Sequence, residues 1–233
     1  MATRTSPSSG TGTGRSSRTR RPSAAYPAAR MSIRMPRSPP TGQPPPVDGA
    51  LALLPVSASM PIDLRSLLEP THSALLTMEC QEAIIGERAL LPALVEAVRA
   101  SGLRRNLGTL TGRARAAGVP VIHNLALRRP DSGGSAANCK LLALGRRGNA
   151  VLAAGSPAAA LVPELGPEPG DYQLGRLHGV SPFHGTELDP ILRNLGVRTV
   201  IATGVSLNVG VLGLVIEAVN RGYQVVLPRD CVD

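Results

Sequence analysis

The side chains with the most chemical reach gather at four places along the chain. Glu79, Cys80 and Gln81 follow an apolar run, Ser73 to Met78. His123 and Asn124 lie in a second apolar run over residues 119–127. Arg176 precedes His178 and His184, which bracket Ser181, Pro182 and Phe183. Finally, Gly204-Val205-Ser206-Leu207-Asn208-Val209-Gly210 separates a third apolar run from a longer one. A carboxyl group such as Glu79, held in a partly dry crevice, can give or take a proton. A purely structural carboxylate fits the same pattern. Arg176 can hold a carboxylate through two parallel bonds. Gln81 could orient Glu79 or contact a substrate, and a capping or surface amide is equally consistent. His123 and Asn124 are placed to wall a pocket, and His178, Phe183 and His184 to face it. A lone histidine is, however, more often a hydrogen-bonded structural residue. The 204–210 loop offers backbone N–H groups and a helix N-terminus to an anion or oxyanion. Asn208 reads most simply as the N-cap of that helix.

The elements that must position these groups alternate between strand and helix. Val197 to Thr203 is short, β-branched and without strict alternation, as in a strand covered on both faces. A helix is expected from about 208 to 221; being apolar almost all round, it should be largely buried. Glu217 and Arg221 can pair across one turn, and Gly222 ends the helix. Residues 223–227 form the next strand, giving a right-handed βαβ unit. Earlier, 73–78 and 119–127 read as strands flanking a helical stretch, 90–117, broken or kinked near Gly102 and Gly108. Residues 128–155 form a long excursion rich in Gly, Asn and Arg around a short apolar piece, 141–144; such a loop is usually functional or mobile. A short strand at 172–176 and a helix at 185–195, with Thr186 as N-cap, complete the pattern. The fold class is α/β: a doubly wound, mainly parallel sheet with helices on both faces. Ligands of such sheets sit beyond the carboxyl ends of the strands, where all four chemical segments fall.

Charge is unevenly spread over the 233 residues. Residues 1–50 hold eight arginines and one acid, Asp48, and so carry seven of the nine net positive charges. The remainder is nearly neutral and poor in aromatics, with one Phe, two Tyr and no Trp, which argues against nucleic acid as a partner. Residues 1–59 cannot bury enough apolar surface to order themselves and read as a disordered basic tail. Met60 opens the globular pattern, so the tail could lie upstream of the true start. Residues 49–59 resemble a weak signal-peptide core, interrupted by Pro55 and far from Met1. The three cysteines, Cys80, Cys139 and Cys231, have no paired or metal-like spacing and read as reduced cytoplasmic thiols. No apolar run is long enough to span a bilayer. No metal-ligand cluster and no P-loop or dinucleotide motif appears, so no cofactor is expected.

In order and register, Leu75-Leu76-Thr77-Met78-Glu79-Cys80-Gln81, Ser181-Pro182-Phe183-His184-Gly185-Thr186, Gly204 to Val211, Glu217-Ala218, Gly222-Tyr223 and Arg229-Asp230 resemble the isochorismatase-like hydrolases, the cysteine hydrolase family. The resemblance covers residues 60–233 and implies a three-layer α/β sandwich. It also implies a further helix after Asp230, so the domain is expected to be truncated at its C-terminus. The family's machinery is an acid after the first strand, a lysine before the Ser-x-Phe segment and, often, a nucleophilic cysteine opening the last helix. Carried over, the acid is Glu79. The lysine position falls near Leu177, with Arg176 beside it. The cysteine position is Gly210, which removes a thioester route. The resemblance further makes Val205 and Ser206 an oxyanion-binding turn containing a non-proline cis peptide.

The expectation is a hydrolase of a small molecule that uses Glu79 as general acid or base without a cysteine nucleophile, on a vinyl ether or a C–N bond. The alternative is an inactive relative that binds a small molecule or assembles into a homo-oligomer. A third, weaker possibility is that the arginine tail binds nucleic acid or acidic membranes.

Overall fold

The computed structural model describes residues 62–147 and 152–233. The expectations for the tail, residues 1–59, lie outside the described residues. The elements are α1 (Leu64–Leu67), β1 (Ser73–Met78), α2 (Glu82–Ile85), α3 (Pro92–Ser101), α4 (Leu103–Ala116), β2 (Val121–Ala126), α5 (Lys140–Arg147), β3 (Tyr172–Arg176), α6 (Leu188–Asn194), β4 (Thr199–Gly204), a π-helical turn (Leu207–Val211), α7 (Leu212–Asn220) and β5 (Gln224–Val226). All strand pairs are parallel, in the order β3-β2-β1-β4-β5. β1 and β2, central in that order, are buried at every residue, which is why they show no polar alternation.

Helices cover both faces. On one, Leu188 and Leu192 of α6 and Leu214 and Ala218 of α7 pack on Ala74, Leu76, Ile122, Val200 and Ala202. On the other, Leu103 and Leu107 of α4 pack with Cys80, Leu125 and Leu165, and Ala114 with Leu75 and Val121. Each fully buried leucine contributes about 2 kcal/mol of transfer free energy.

Several boundaries differ from expectation for local reasons. The helical stretch breaks at Gly102 alone. Gly108 is helical, and a Cβ there would lie 2.3 Å from the Glu164 carbonyl oxygen, so its lack of a side chain admits the 163–165 turn. The 208–221 helix splits into the π turn and α7, which places Asn208 inside the turn; Ser206 takes the N-cap position without a side-chain bond. That helix is also less buried than its composition suggests: Leu212, Ile216 and Val219 form an exposed stripe. The apolar piece at 141–144 lies within α5. Thr186 accepts from the Leu188 amide at 3.2 Å but sits one residue before the N-cap position of α6.

His123 belongs to this framework. Its ring is fully buried between Thr77 Oγ1, 2.8 Å from Nδ1, and Asp171 Oδ2, 3.3 Å from Nε2. A carboxylate can only accept, so Nε2 carries the hydrogen and Nδ1 accepts from the threonine hydroxyl. Asp171 also takes both arms of Arg115, at 3.1 and 2.7 Å. Burial alone would raise the Asp171 carboxyl; the bonds from Arg115, the Glu168 amide and His123 outweigh it and hold the group below its ordinary range. Both ring nitrogens of His123 are engaged, so it offers nothing to a pocket. Residue 123 faces α4, whereas 122 and 124 face α7, because side chains alternate along the strand.

Two outcomes follow from this packing. Gly112 also lies in α4, and a Cβ there meets nothing within 4 Å. Gly112→Ala should therefore raise stability by about 0.5–1 kcal/mol, while Gly108→Ala should lower it by about 1–3 kcal/mol, both read by urea unfolding. Stabilisation by both substitutions would contradict the packing. Burial pushes the His123 imidazole below its ordinary value of 6.5. As pH falls through that value the unfolded chain takes up a proton that the folded chain refuses, so stability should fall, by at most about 1.4 kcal/mol per pH unit. His123→Gln should flatten this slope between about pH 7 and 5.5, even if it lowers stability throughout; an unchanged slope would exclude His123 as its source.

Candidate active site

β1 ends at Met78, and Glu79 leaves the strand with φ of 53°. This left-handed conformation costs a residue with a Cβ about 1 kcal/mol or more. The Glu79 amide donates to Asn124 O at 2.9 Å, which ties the turn to β2. Glu79 and Cys80 consequently point to opposite sides of the sheet. Cys80 is buried against α4, where burial, and next the charge of Glu79, push its thiol far up. Cys231 is likewise pushed up to about 11, first by burial and then by Asp230. Neither is a ready nucleophile.

Glu79 turns to the α7 side and meets Arg176, the last residue of β3, whose Nη2 donates to Glu79 Oε1. The side chains are 19% and 4% exposed. Leu177 is exposed to solvent, so Arg176 is the residue at the centre. Arg176 does not, however, present the free fork expected of an anion clamp. Its Nε donates to Gly179 O at 3.1 Å, Nη2 is held by Glu79, and only Nη1 is buried without a partner.

β4 supplies the other wall. Gly204, at φ of 100°, lies against β1 so closely that a Cβ would sit 2.3 Å from Met78 O. Glycine alone adopts this conformation freely and leaves room for that backbone. The next peptide, Val205–Ser206, is cis. The Val205 amide donates to Met78 O at 2.9 Å, so it is not available to an oxyanion. The Ser206 amide has no partner among the described residues and is the donor the turn leaves open. Gly210 follows in the π turn, buried, with its Cβ direction aimed 3.1 Å from Met78 Cε.

The other candidate residues divide. Asn124 is 2% exposed; its Nδ2 donates to Thr77 O at 3.3 Å and its Oδ1 is buried without a partner. It lies on the same face as Arg176, since Ala126 is the register partner of Arg176 and Asn124 is two residues earlier. Gln81 does not contact this face. Its amide is fully buried and bonded at both ends, donating to Ala126 O and Ala159 O at 2.9 and 3.1 Å and accepting from Ala126 N at 2.7 Å. It braces β2 against the 158–161 segment. Phe183 is core: it stacks on Tyr223 at 6.0 Å, with Arg221 4.8 Å above its ring. His178 and His184 meet edge to face at 5.4 Å, with His184 exposed.

One residue escaped the sequence reading. Arg128, two positions beyond Ala126, is 8% exposed and makes no ion pair among the described residues. Its signal was alternation: 124, 126 and 128 share one side of β2 and its extension. Two hollows of about 740 and 510 Å³ lie elsewhere, the first against α3 and the second beside His72 and Arg198. Among the described residues no group of three or more His, Cys, Asp or Glu is placed to hold a metal ion, and no helix is long and apolar enough to cross a membrane.

Comparison with known proteins agrees with this architecture. The isochorismatase domain family matches residues 73–233. Ureidoacrylate amidohydrolase RutB of Enterobacter sp. (strain 638) is 32% identical over 152 residues, which cover 60% of this chain and 66% of that protein. The isochorismatase family protein YwoC of Bacillus subtilis (strain 168) is 36% identical over 74 residues, 32% of this chain and 39% of that one. The chain therefore spans less than two thirds of the length of these relatives. Among solved structures, a cysteine hydrolase from Pseudomonas syringae pv. phaseolicola 1448A superposes with a TM-score of 0.59 at 26% identity, covering 70% of this chain and 73% of the other. With its all-parallel sheet and its acid, cation and turn at the carboxyl ends of β1, β3 and β4, the chain belongs to the isochorismatase family.

Proposed function

We propose that this chain is a hydrolase of a small carbonyl compound in which Glu79 carries the proton and no cysteine takes part. What supports the reading is one observation: Glu79, paired with Arg176, directly follows Met78, and the turn that carries the Ser206 amide and Gly210 packs against Met78. Arginine stays cationic and cannot give up a proton, which leaves Glu79 as the group that can. In this mechanism water adds to the substrate carbonyl carbon while Glu79 accepts its proton. The oxygen that becomes negative faces the Ser206 N–H. Glu79 then returns the proton to the departing nitrogen or oxygen. Gly210 stands where the family often has its cysteine, so the route avoids an acyl-enzyme. Likeness to an amidohydrolase favours a C–N bond over a vinyl ether.

A second reading, a ligand-binding protein without turnover, draws on the same centre: Glu79 is already matched by Arg176, and Gly210 brings no side chain.

Glu79→Gln keeps the size of the side chain and removes proton transfer. It should lower kcat at least about 100-fold on any ureido, amide or vinyl-ether substrate that the wild type hydrolyses. Undiminished kcat would sink the mechanism, and binding without turnover by the wild type across such a panel would favour the second reading.

A further inference from the structure

We propose that the hollow at the amino ends of β1, β4 and β5 is a second binding site, which takes a small molecule carrying a phosphate or carboxylate group, with Arg198 and His72 as its donors. The site is separate from the Glu79 centre. β1, six residues long, lies between the two and spans about 20 Å.

The first argument is placement. The hollow, of about 510 Å³, falls within the range of small-molecule sites. His72, Arg198 and Gln224 line it together. Backbone bonds set these three on adjacent chains: the Arg198 amide donates to His72 O at 2.8 Å, and the Gln224 amide to Arg198 O at 2.8 Å. Neighbouring chains of a sheet run about 4.8 Å apart, so side chains from all three can reach one small ligand.

The second argument is a surplus of donors. The Arg198 guanidinium makes no ion pair and no hydrogen bond among the described residues. Gln224 Oε1 accepts from the Thr199 hydroxyl at 3.2 Å, which leaves the Nε2 hydrogens unused among the described residues. His72 Nδ1 is buried without a partner. A buried ring nitrogen left unmatched is costly, and with its hydrogen on Nδ1 the ring donates to an oxyanion. The lining holds one acid, Asp63, whose Oδ1 is taken by the Arg65 amide at 3.0 Å. A guanidinium fork, two further N–H donors and no acid bonded to them match the several oxygens of a phosphate or carboxylate.

The third argument is what surrounds the donors. Ile62 and Leu67 bring apolar side chains to the lining. At Gly222, which also lines the hollow, a Cβ would meet nothing within 4 Å. The space beside the donors is open and partly apolar. It suits an oxyanion head on a short hydrocarbon body better than a bare inorganic ion.

The test is equilibrium binding to the full chain, by calorimetry at constant ionic strength. The probes are phenyl phosphate and benzoate, with inorganic phosphate as the bare ion and benzamide as the neutral counterpart. The wild type should bind phenyl phosphate or benzoate at least about tenfold more tightly than benzamide. The tighter of the two identifies the head group. Arg198→Met should abolish the preference, and Arg198→Lys should keep part of it. His72→Phe should weaken binding of the acid at least about threefold. Ser66→Phe, which keeps every charge and fills the hollow, should block the acid as well. Two variants should leave binding unchanged. Arg88→Met removes the same charge from an exposed arginine that has no acid partner among the described residues, and Glu79→Gln alters the other end of β1. Far-UV circular dichroism without ligand confirms that each variant is folded. Benzamide bound as tightly as either acid, or a preference that survives Arg198→Met, would overturn the proposal. So would an equal loss in Arg88→Met, a loss in Glu79→Gln, or inorganic phosphate bound as tightly as phenyl phosphate. Turnover is not read, so the outcome is independent of the hydrolytic mechanism.

Discussion

A buried guanidinium paired with a carboxylate, with a second buried arginine on the same side of β2, sets the terms for this molecule. Charged groups leave water only where partners receive them, and here the partner is assembled from three strands. β1 delivers Glu79, β3 delivers Arg176, and the extension of β2 between them delivers Arg128. None of these residues could meet another locally; Glu79 and Arg176 are 97 positions apart. The parallel register brings them together at one edge, and the apolar packing of α4 on one face and α6 and α7 on the other holds that register. The left-handed turn at Glu79 is the local conformational cost of aiming its carboxyl out of the strand toward α7.

Around that cluster the backbone is pulled tight. Met78 O receives the Val205 amide, and the Met78 backbone lies where a side chain on Gly204 would be. The strand that carries the acid and the turn that follows β4 are therefore one rigid unit. A polar site placed there inherits precise spacing without long flexible side chains. The same closeness removes the Val205 amide from the available donors, leaving that of Ser206. On the opposite face the His123–Asp171–Arg115 network closes polar groups on one another. Two of the buried groups left unmatched, Asn124 Oδ1 and Arg176 Nη1, lie on the α7 side of β2 and β3.

How much of this could be read from the chain itself depended on the reach of each signal. Strand and helix order, and the edge where chemistry would gather, were legible because buried parallel strands leave continuous apolar runs and because ligand sites follow from topology. Glu79 and Arg176 were legible as types, but the free fork of Arg176 was not, since its use depends on Gly179 O three residues on and on Glu79. Gln81 and His123 looked like pocket residues because a polar residue in an apolar run attracts that reading. Only the alternation of side chains assigns His123 to the α4 face, and only long-range bonds reveal Gln81 as a brace. The helix after Gly210 was apolar on all sides for a reason composition cannot give: Leu212, Ile216 and Val219 are exposed in this chain. Arg128 was hidden by its setting in an arginine-rich stretch, where Arg129 beside it is an ordinary exposed partner of Asp131.

The pairing of arginine with glutamate also alters what such a centre can do. A lysine opposite an acid gives two groups that exchange protons and can trade roles. A guanidinium stays charged at any pH at which the protein is folded, so it orders and attracts but does not relay. With Gly210 offering no thiol, on the reading proposed above, the centre keeps one proton carrier and one permanent cation, Arg176. Chemistry that depends on a covalent intermediate would be lost from such a site, whereas chemistry that needs a fixed anion beside a single base would be retained.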